Sequence, residues 1–186
     1  MTDLGFPLDG STLVVGPSGA GKTRLTARAL ETWIDREGAA GVVLLEFGPE
    51  YERDGTVLGR RLERYTDVPA DVWVGTVDAY APRSESESEA ELRELARKNA
   101  AAVADRLAAA PANPIAVFVN DVTIGYQHAP DELEQLLDYC ATAEAAVLNA
   151  FESDELGTDD PVSARERDVV RRLRAWADRT VALDDQ

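Results

Sequence analysis

The sequence predicts a three-layer α/β protein with a mostly parallel central sheet. Short apolar runs typical of buried strands alternate along the chain with longer segments whose apolar residues recur at helical spacing. The most hydrophobic of these runs, over 115–119, has the character of a central strand. No internal repeat is visible, which argues against a solenoid or a propeller. Strands that alternate with helices in this way form a parallel sheet covered on both faces.

The elements follow from the same patterns, taken in order. A strand over 11–15 leads into a glycine-rich turn and then a helix, in which Leu25, Ala29, Leu30 and Trp33 share one face and Gly38 marks the end. Further strands are predicted over 41–47, 72–77, 115–119, 144–151 and 179–183, the last at an edge, and further helices over 56–65, 90–110, 130–140 and 162–177. Residues 84–89 are predicted to form a flexible acidic loop, and residues 152–160 a polar loop.

Length and charge limit the protein's class. The 186 residues suit a single domain over 1–186. The net charge is −16, from 35 acidic and 19 basic residues, and only Lys22 and Lys98 are lysines. An acidic, lysine-poor surface is suited to high salt, where screening suppresses self-repulsion. We therefore expect a halophilic archaeon as the source, with an unusually acidic mesophilic protein as the alternative.

The same composition excludes several kinds of partner and site. Without a basic stripe the chain is poorly suited to nucleic acid, and the arginines of 165–174 are expected to form a solvated face paired with Glu166 and Asp168. The single cysteine, Cys140, and the single histidine, His128, exclude disulfides within the chain and His- or Cys-rich metal sites. Neither a signal peptide nor a long apolar run is seen, so we expect a cytoplasmic protein without membrane insertion.

The glycine-rich turn carries the main functional signal. It fits the pattern G-x-x-x-x-G-K-T with no position missing, and its residues are Gly16, Pro17, Ser18, Gly19, Ala20, Gly21, Lys22 and Thr23. Strand, glycine loop and helix form the P-loop, in which backbone amides and the helix N-terminus hold a polyphosphate. Lys22 is expected to bridge the β- and γ-phosphates, and the Thr23 hydroxyl to bind Mg²⁺. The motif therefore predicts ATP and Mg²⁺ as cofactors.

A magnesium site of this type also needs an acid at the end of a second buried strand. The strand over 115–119 is followed by Asn120 and then Asp121. If the strand ends one residue later than this pattern suggests, Asp121 is the metal-site acid. Otherwise Asn120 occupies that place and Asp121 serves as a turn or cap residue.

Together these segments resemble the RecA/KaiC branch of P-loop ATPases. The likeness rests on the lead-in Gly5–Ser11, the P-loop, the acidic turn at 46–50, and the residues at 120–123, which are similar to the family's Asp-Ser-Leu-Thr. The resemblance implies a RecA/KaiC-like fold and the function of an ATPase or a nucleotide-dependent switch. It also implies that the protein works as a homo-oligomer or with a protein partner. It further implies that Glu50, or as second choice Glu46, orients the attacking water. Asn149 either senses the γ-phosphate or caps a helix.

Two alternative functions stay open. The residues at 120–123 are comparable to the strand ending of adenosylcobinamide kinase, but that enzyme's own P-loop and its histidine have no counterpart here. The turn at 48–51 is similar to the Gly-Glu-Tyr turn of HerA/FtsK motors, although the short, acidic chain argues against translocation on DNA. Hydrolysis without an acceptor distinguishes an ATPase from a kinase.

Overall fold

A computed structural model describes residues 4–53, 56–152 and 160–184. Eight strands and six helices occur in these ranges. The strands are β1 (Gly10–Gly16), β2 (Val42–Glu46), β3 (Tyr51–Arg53), β4 (Thr56–Leu58), β5 (Trp73–Thr76), β6 (Ala116–Asn120), β7 (Ala145–Phe151) and β8 (Arg179–Ala182). The helices are α1 (Lys22–Glu37), α2 (Pro82–Glu85), α3 (Glu89–Ala108), α4 (Val122–Tyr126), α5 (Leu133–Ala141) and α6 (Pro161–Trp176), with turns of 3-10 helix at Leu62–Arg64 and Pro130–Glu132.

Six strands form one parallel sheet in the order β5-β2-β6-β7-β1-β8. This arrangement confirms the predicted α/β fold class. β1 lies between β7 and β8, and β6 is separated from β1 by β7 alone. Because all six strands run the same way, their carboxyl ends lie along a single edge, where open α/β sheets bind ligands.

Alternation along the strands divides the core into two layers. Val14 packs with α1 on one face, whereas its neighbours Leu13 and Val15 pack with α3–α6 on the other. The same alternation along β2, β6 and β7 extends both layers across the sheet. The α1-facing series continues to Glu46 and Asn120 at the carboxyl ends of β2 and β6, and to Asn149 near the carboxyl end of β7. Helices on both faces explain why these strands are apolar almost throughout.

The prediction was wrong over 56–65, where a helix was expected. The structure instead has β4, which pairs antiparallel with β3, followed by the 3-10 turn at Leu62–Arg64. Gly59 adopts φ +66°, and a Cβ at this position would lie 1.6 Å from the Pro49 carbonyl oxygen. The chain therefore turns sharply at Gly59, and no continuous helix can form there.

Two predicted loops have different outcomes. Within 84–89, α2 extends to Glu85, and the Ser88 hydroxyl accepts from the Glu91 amide to cap α3. The flexibility of this segment stays a prediction. Residues 153–159 of the predicted loop over 152–160 lie outside the described residues. In the described part of the chain, no helix is long and apolar enough to cross a bilayer.

Candidate functional site: the phosphate-binding loop and its surroundings

The glycine-rich loop connects the carboxyl end of β1 to the first turn of α1. Gly19 and Gly21 have φ values of +81° and +94°, in the left-handed region that L side chains rarely adopt. Gly21 is the N-cap of α1 and has no side chain with which to cap the helix. No side-chain cap therefore stands between the first turn of α1 and a ligand, and the helix dipole favours an anion there. The predicted loop residues therefore form a site suited to a polyphosphate.

Close packing fixes the start of this loop. A Cβ on Gly16 would lie 2.5 Å from the Leu183 carbonyl oxygen just beyond β8, so only glycine fits without movement. The Lys22 ammonium donates a hydrogen bond to the Pro17 carbonyl at 2.5 Å, which folds the side chain back across the loop. The Thr26 hydroxyl donates to the Lys22 carbonyl at 3.0 Å one turn later in α1. The loop is held both at the sheet edge and at the helix.

A row of buried polar side chains lies beneath the loop, and we call it the polar row: Thr26, Asn149, Asn120 and Glu46. The Asn149 amide donates to the Thr26 hydroxyl and to the Asn120 side-chain oxygen, both at 2.9 Å. Asn120 in turn donates to Glu46 Oε2 at 2.7 Å. All four residues are almost completely buried. The polar row thus joins α1 to three adjacent strands, β7, β6 and β2.

The Glu46 carboxyl at the end of this row is unusual electrostatically. Burial raises its pKa to about 7, although hydrogen bonds from the Leu62 amide and from Asn120 act in the opposite direction. Both carboxyl oxygens have a donor within hydrogen-bonding distance. These two hydrogen bonds hold the Glu46 carboxyl in place, so in this structure its oxygens have a structural role.

The structure resolves the position of the second strand's end. β6 runs to Asn120, one residue beyond the sequence-based boundary, and Asp121 follows directly with φ +60°. The Asp121 amide donates to Asn149 Oδ1 at 2.9 Å. Burial raises the pKa of Asp121, while the nearby cations of Lys22 and Arg83 lower it. Asn120 is thus committed to the polar row, and the Asp121 carboxylate lies within the field of the loop lysine.

The oxygen atoms of side chains in and after the loop are of the kind that bind a hard cation such as Mg²⁺. Carboxylate and hydroxyl oxygens, as on Asp121 and Thr23, are ligands that Mg²⁺ accepts, usually together with phosphate oxygens and water. Among the described residues, no group of three or more His, Cys, Asp or Glu side chains could hold a metal by itself.

The remaining predicted residue, Glu50, makes a different contact. Its carboxylate forms an ion pair with Arg64 of the 3-10 turn, and the Glu50 side chain is 19% exposed. The catalytic role of Glu50 stays a prediction. A role for Asn149 in sensing phosphate also stays a prediction, because its described hydrogen bonds go to protein groups.

A second cation lies near the loop, and no pattern in the sequence indicated it. The Arg83 guanidinium lies 5.8 Å from the centre of the Phe151 ring, and the Lys22 ammonium lies 5.7 Å from the centre of the same ring. Arg83 pairs with Glu166 and donates to the Ser163 hydroxyl at 3.1 Å. Glu166 was expected on a solvated face, but its side chain is only 7% exposed. The prediction was right for Asp168, which pairs with Arg171 and Arg172.

No family model and no curated protein matches this chain. Among solved structures, the Pif1 helicase from Candida albicans matches with a TM-score of 0.41 and 12% identity, over 95% of this chain and 36% of that one. The chain thus spans about a third of the helicase's length.

The class of the protein follows from the fold and the loop together. A parallel sheet whose first strand passes through Gly16–Thr23 into a helix is the fold of the P-loop nucleoside triphosphatases.

Proposed function

We propose that this chain binds Mg-ATP at Gly16–Thr23 and acts as a RecA/KaiC-like ATPase or nucleotide-dependent switch. The observation that carries the proposal is the left-handed Gly19 and Gly21 backbone at the uncapped start of α1, with Lys22 folded over the same loop. Backbone amides and the lysine supply the positive potential that a triphosphate requires.

Each residue has a distinct part in this proposal. Lys22 neutralises charge on the β- and γ-phosphates once it leaves the Pro17 carbonyl, and the Thr23 hydroxyl with the Asp121 carboxylate holds the metal. When bound, Mg²⁺ neutralises phosphate charge. Glu50 orients the attacking water, which requires release from Arg64. Asn149 supports the site by fixing the Asp121 backbone.

The arrangement of Asn120 and Asp121 favours a slow enzyme or a switch. The carboxylate at the end of β6 comes one residue later than in the family that the sequence resembles, and it sits on a left-handed residue. The buried acid of the neighbouring strand, Glu46, is occupied by two donors. Fast hydrolysis would require an acid that is free to activate water, and Glu46 is not free because both of its carboxyl oxygens accept hydrogen bonds.

Calorimetry with Mg-ATP in concentrated KCl tests the binding proposal. Lys22→Ala should abolish measurable binding, because it removes the cation that contacts the phosphates. Lys98→Ala is the matched control, since Lys98 is the other lysine of the chain and lies on α3 against Tyr80. Nucleotide binding that survives in Lys22→Ala, or is lost equally in Lys98→Ala, contradicts the proposal. Phosphate release without an added acceptor then separates an ATPase from a kinase.

A further inference from the structure

A partly buried arginine near the phosphate-binding loop, Arg83, takes no part in the site as described so far. Arg83 lies on α2, the single-turn helix between β5 and α3. The segment before α2 is fixed, because the buried Asn99 side chain accepts from the Tyr80 amide at 2.9 Å and donates to the Tyr80 carbonyl at 3.0 Å. The buried Pro82 begins the turn. Arg83 is therefore presented from a defined position at the carboxyl edge of the sheet.

The guanidinium reaches across this edge towards the loop. It contacts the Phe151 ring at the end of β7, whose centre also lies 5.7 Å from the Lys22 ammonium. Lys22 and Arg83 also both act on the Asp121 carboxylate. One cation of the P-loop and one of α2 thus lie against the same aromatic ring, and both influence the carboxyl group that follows β6. A terminal phosphate held by Lys22 would therefore lie near the ring that Arg83 also contacts.

Arg83 is held in place by contacts that an anion could replace. Glu166 binds one Nη, and the Ser163 hydroxyl accepts from the other at 3.1 Å. The Arg83 and Glu166 side chains are 14% and 7% exposed. A guanidinium has five N–H donors in a fork that suits phosphate as well as carboxylate. These two contacts engage only part of that fork.

We propose that Arg83 binds the terminal phosphate of the bound nucleoside triphosphate, and that this phosphate competes with Glu166 for the guanidinium. The proposal rests on the proposed function and deepens it, because it assigns discrimination between triphosphate and diphosphate to a residue of the same chain. A diphosphate ends at Lys22 and leaves the Arg83–Glu166 pair intact. A triphosphate draws Arg83 away from α6, so α2 and α6 report which nucleotide is bound.

The surroundings of Glu166 make this exchange feasible. Gln127 donates to Glu166 Oε1 at 2.7 Å, and the Gln127 side-chain oxygen is buried without a partner among the described residues. Burial raises the pKa of Glu166 to about 7, with Arg83 acting in the opposite direction and Asp121 and Asp160 in the same direction. When Arg83 leaves, Glu166 can take up a proton, so no bare buried charge is left behind.

Two substitutions with opposite expected effects test the proposal. Arg83→Gln should weaken Mg-ATP binding by roughly tenfold, the range for one charged hydrogen-bonding group, while Mg-ADP affinity changes little. Glu166→Gln keeps the size and the contact with Gln127, whose amide can turn to accept. It should strengthen ATP binding several-fold and leave ADP unchanged, because the competing carboxylate is gone. The double variant should resemble Arg83→Gln.

The measurement is calorimetric titration of each variant with Mg-ATP and Mg-ADP in concentrated KCl. Arg93→Gln is the control, since Arg93 is an exposed arginine of α3 paired with Glu89. Equal losses of ATP and ADP affinity in Arg83→Gln would indicate a purely structural role and overturn the proposal, as would an unchanged preference for ATP. If the wild-type protein binds neither nucleotide, the proposed function fails and the role of Arg83 fails with it. Normal wild-type binding that is abolished by Lys22→Ala, together with an unchanged Arg83→Gln, refutes the Arg83 role alone.

Discussion

Replacing Asn120 by aspartate should destabilise the protein strongly, even though the RecA/KaiC family, which the sequence resembles, has aspartate at the corresponding position. The Asn120 amide nitrogen lies 2.7 Å from Glu46 Oε2 and 3.0 Å from the Arg60 carbonyl oxygen. In Asn120→Asp this donor becomes a carboxylate oxygen that faces two acceptors. Two buried acids would then share one site, and both cannot ionise at that distance.

The size of the effect follows from burial. Leaving a buried charge without its partner costs about 3–5 kcal/mol, and both Glu46 and Asn120 are 2% exposed. Below the pKa of the pair one proton can be shared between the two carboxyls. The remaining loss should then be about 1–2 kcal/mol, mainly from the unpaired Arg60 carbonyl. We therefore expect a large loss of stability at pH 8 and a small one at pH 5.

A second substitution should reverse most of this loss. When Asn120→Asp is combined with Glu46→Gln, the amide introduced at position 46 donates to the carboxylate introduced at position 120, and its oxygen still accepts from the Leu62 amide. Urea unfolding followed by circular dichroism in concentrated KCl measures all members of the double-mutant cycle. Asn99→Asp is the control, because Asn99 is similarly buried but bonded only to the Tyr80 backbone, so Glu46→Gln should not rescue it. If both single and double variants at Asn120 lose the same stability at pH 8, the reasoning is refuted.

Three further predictions concern pH, the loop glycines and the proposed base. Between about pH 4.5 and pH 7 the folded protein binds more protons than the unfolded chain, because Glu46 and Glu166 have pKa values raised to about 7. Stability should therefore fall by up to about 3 kcal/mol per group as pH rises through this window, and Glu166→Gln should flatten the fall in urea midpoints. Gly19→Ala should lower stability by about 1 kcal/mol from backbone strain alone, because no atom lies within 4 Å of the added Cβ. Gly16→Ala should lower it more, because its Cβ must displace the Leu183 carbonyl. Thermal melts compare the two variants. Glu50→Gln should retain ATP binding in calorimetry but lose phosphate release, and normal phosphate release would remove Glu50 as the base.

Local patterns in the sequence predict most of the fold. Apolar runs bounded by turns located all six strands of the main sheet to within one residue at each end, and the glycine motif located the loop between β1 and α1. The helix predicted over 56–65 fails because Gly59 must pack against the Pro49 carbonyl, a contact that no local pattern reveals. The local pattern that predicted this helix did not outweigh that tertiary constraint.

The candidate site divides in the same way. Residues of the loop are contiguous, so the motif contains them all. Within the polar row, Glu46 and Asn120 are 74 positions apart in the sequence, and Arg83 and Glu166 are 83 positions apart. Only the order of the strands in the sheet brings such distant residues together. Glu166 and Asp168 are both acids among arginines, yet Glu166 is buried and Asp168 is partly exposed. That difference depends on which side of α6 packs on the sheet, and the spacing of charged residues in the sequence does not predict it.

The position of β1 in the sheet also has a consequence for how the protein matures. Its two neighbours, β7 and β8, are the last of the described strands in the chain, and Gly10 pairs with Ala145 while Thr12 pairs with Arg179. Contacts so distant in sequence form late, after much loop entropy has been lost. A polypeptide still lacking these two strands has the whole glycine motif but nothing to shape it. If nucleotide binds as proposed, we expect it to stabilise the sheet only after β7 and β8 have joined β1.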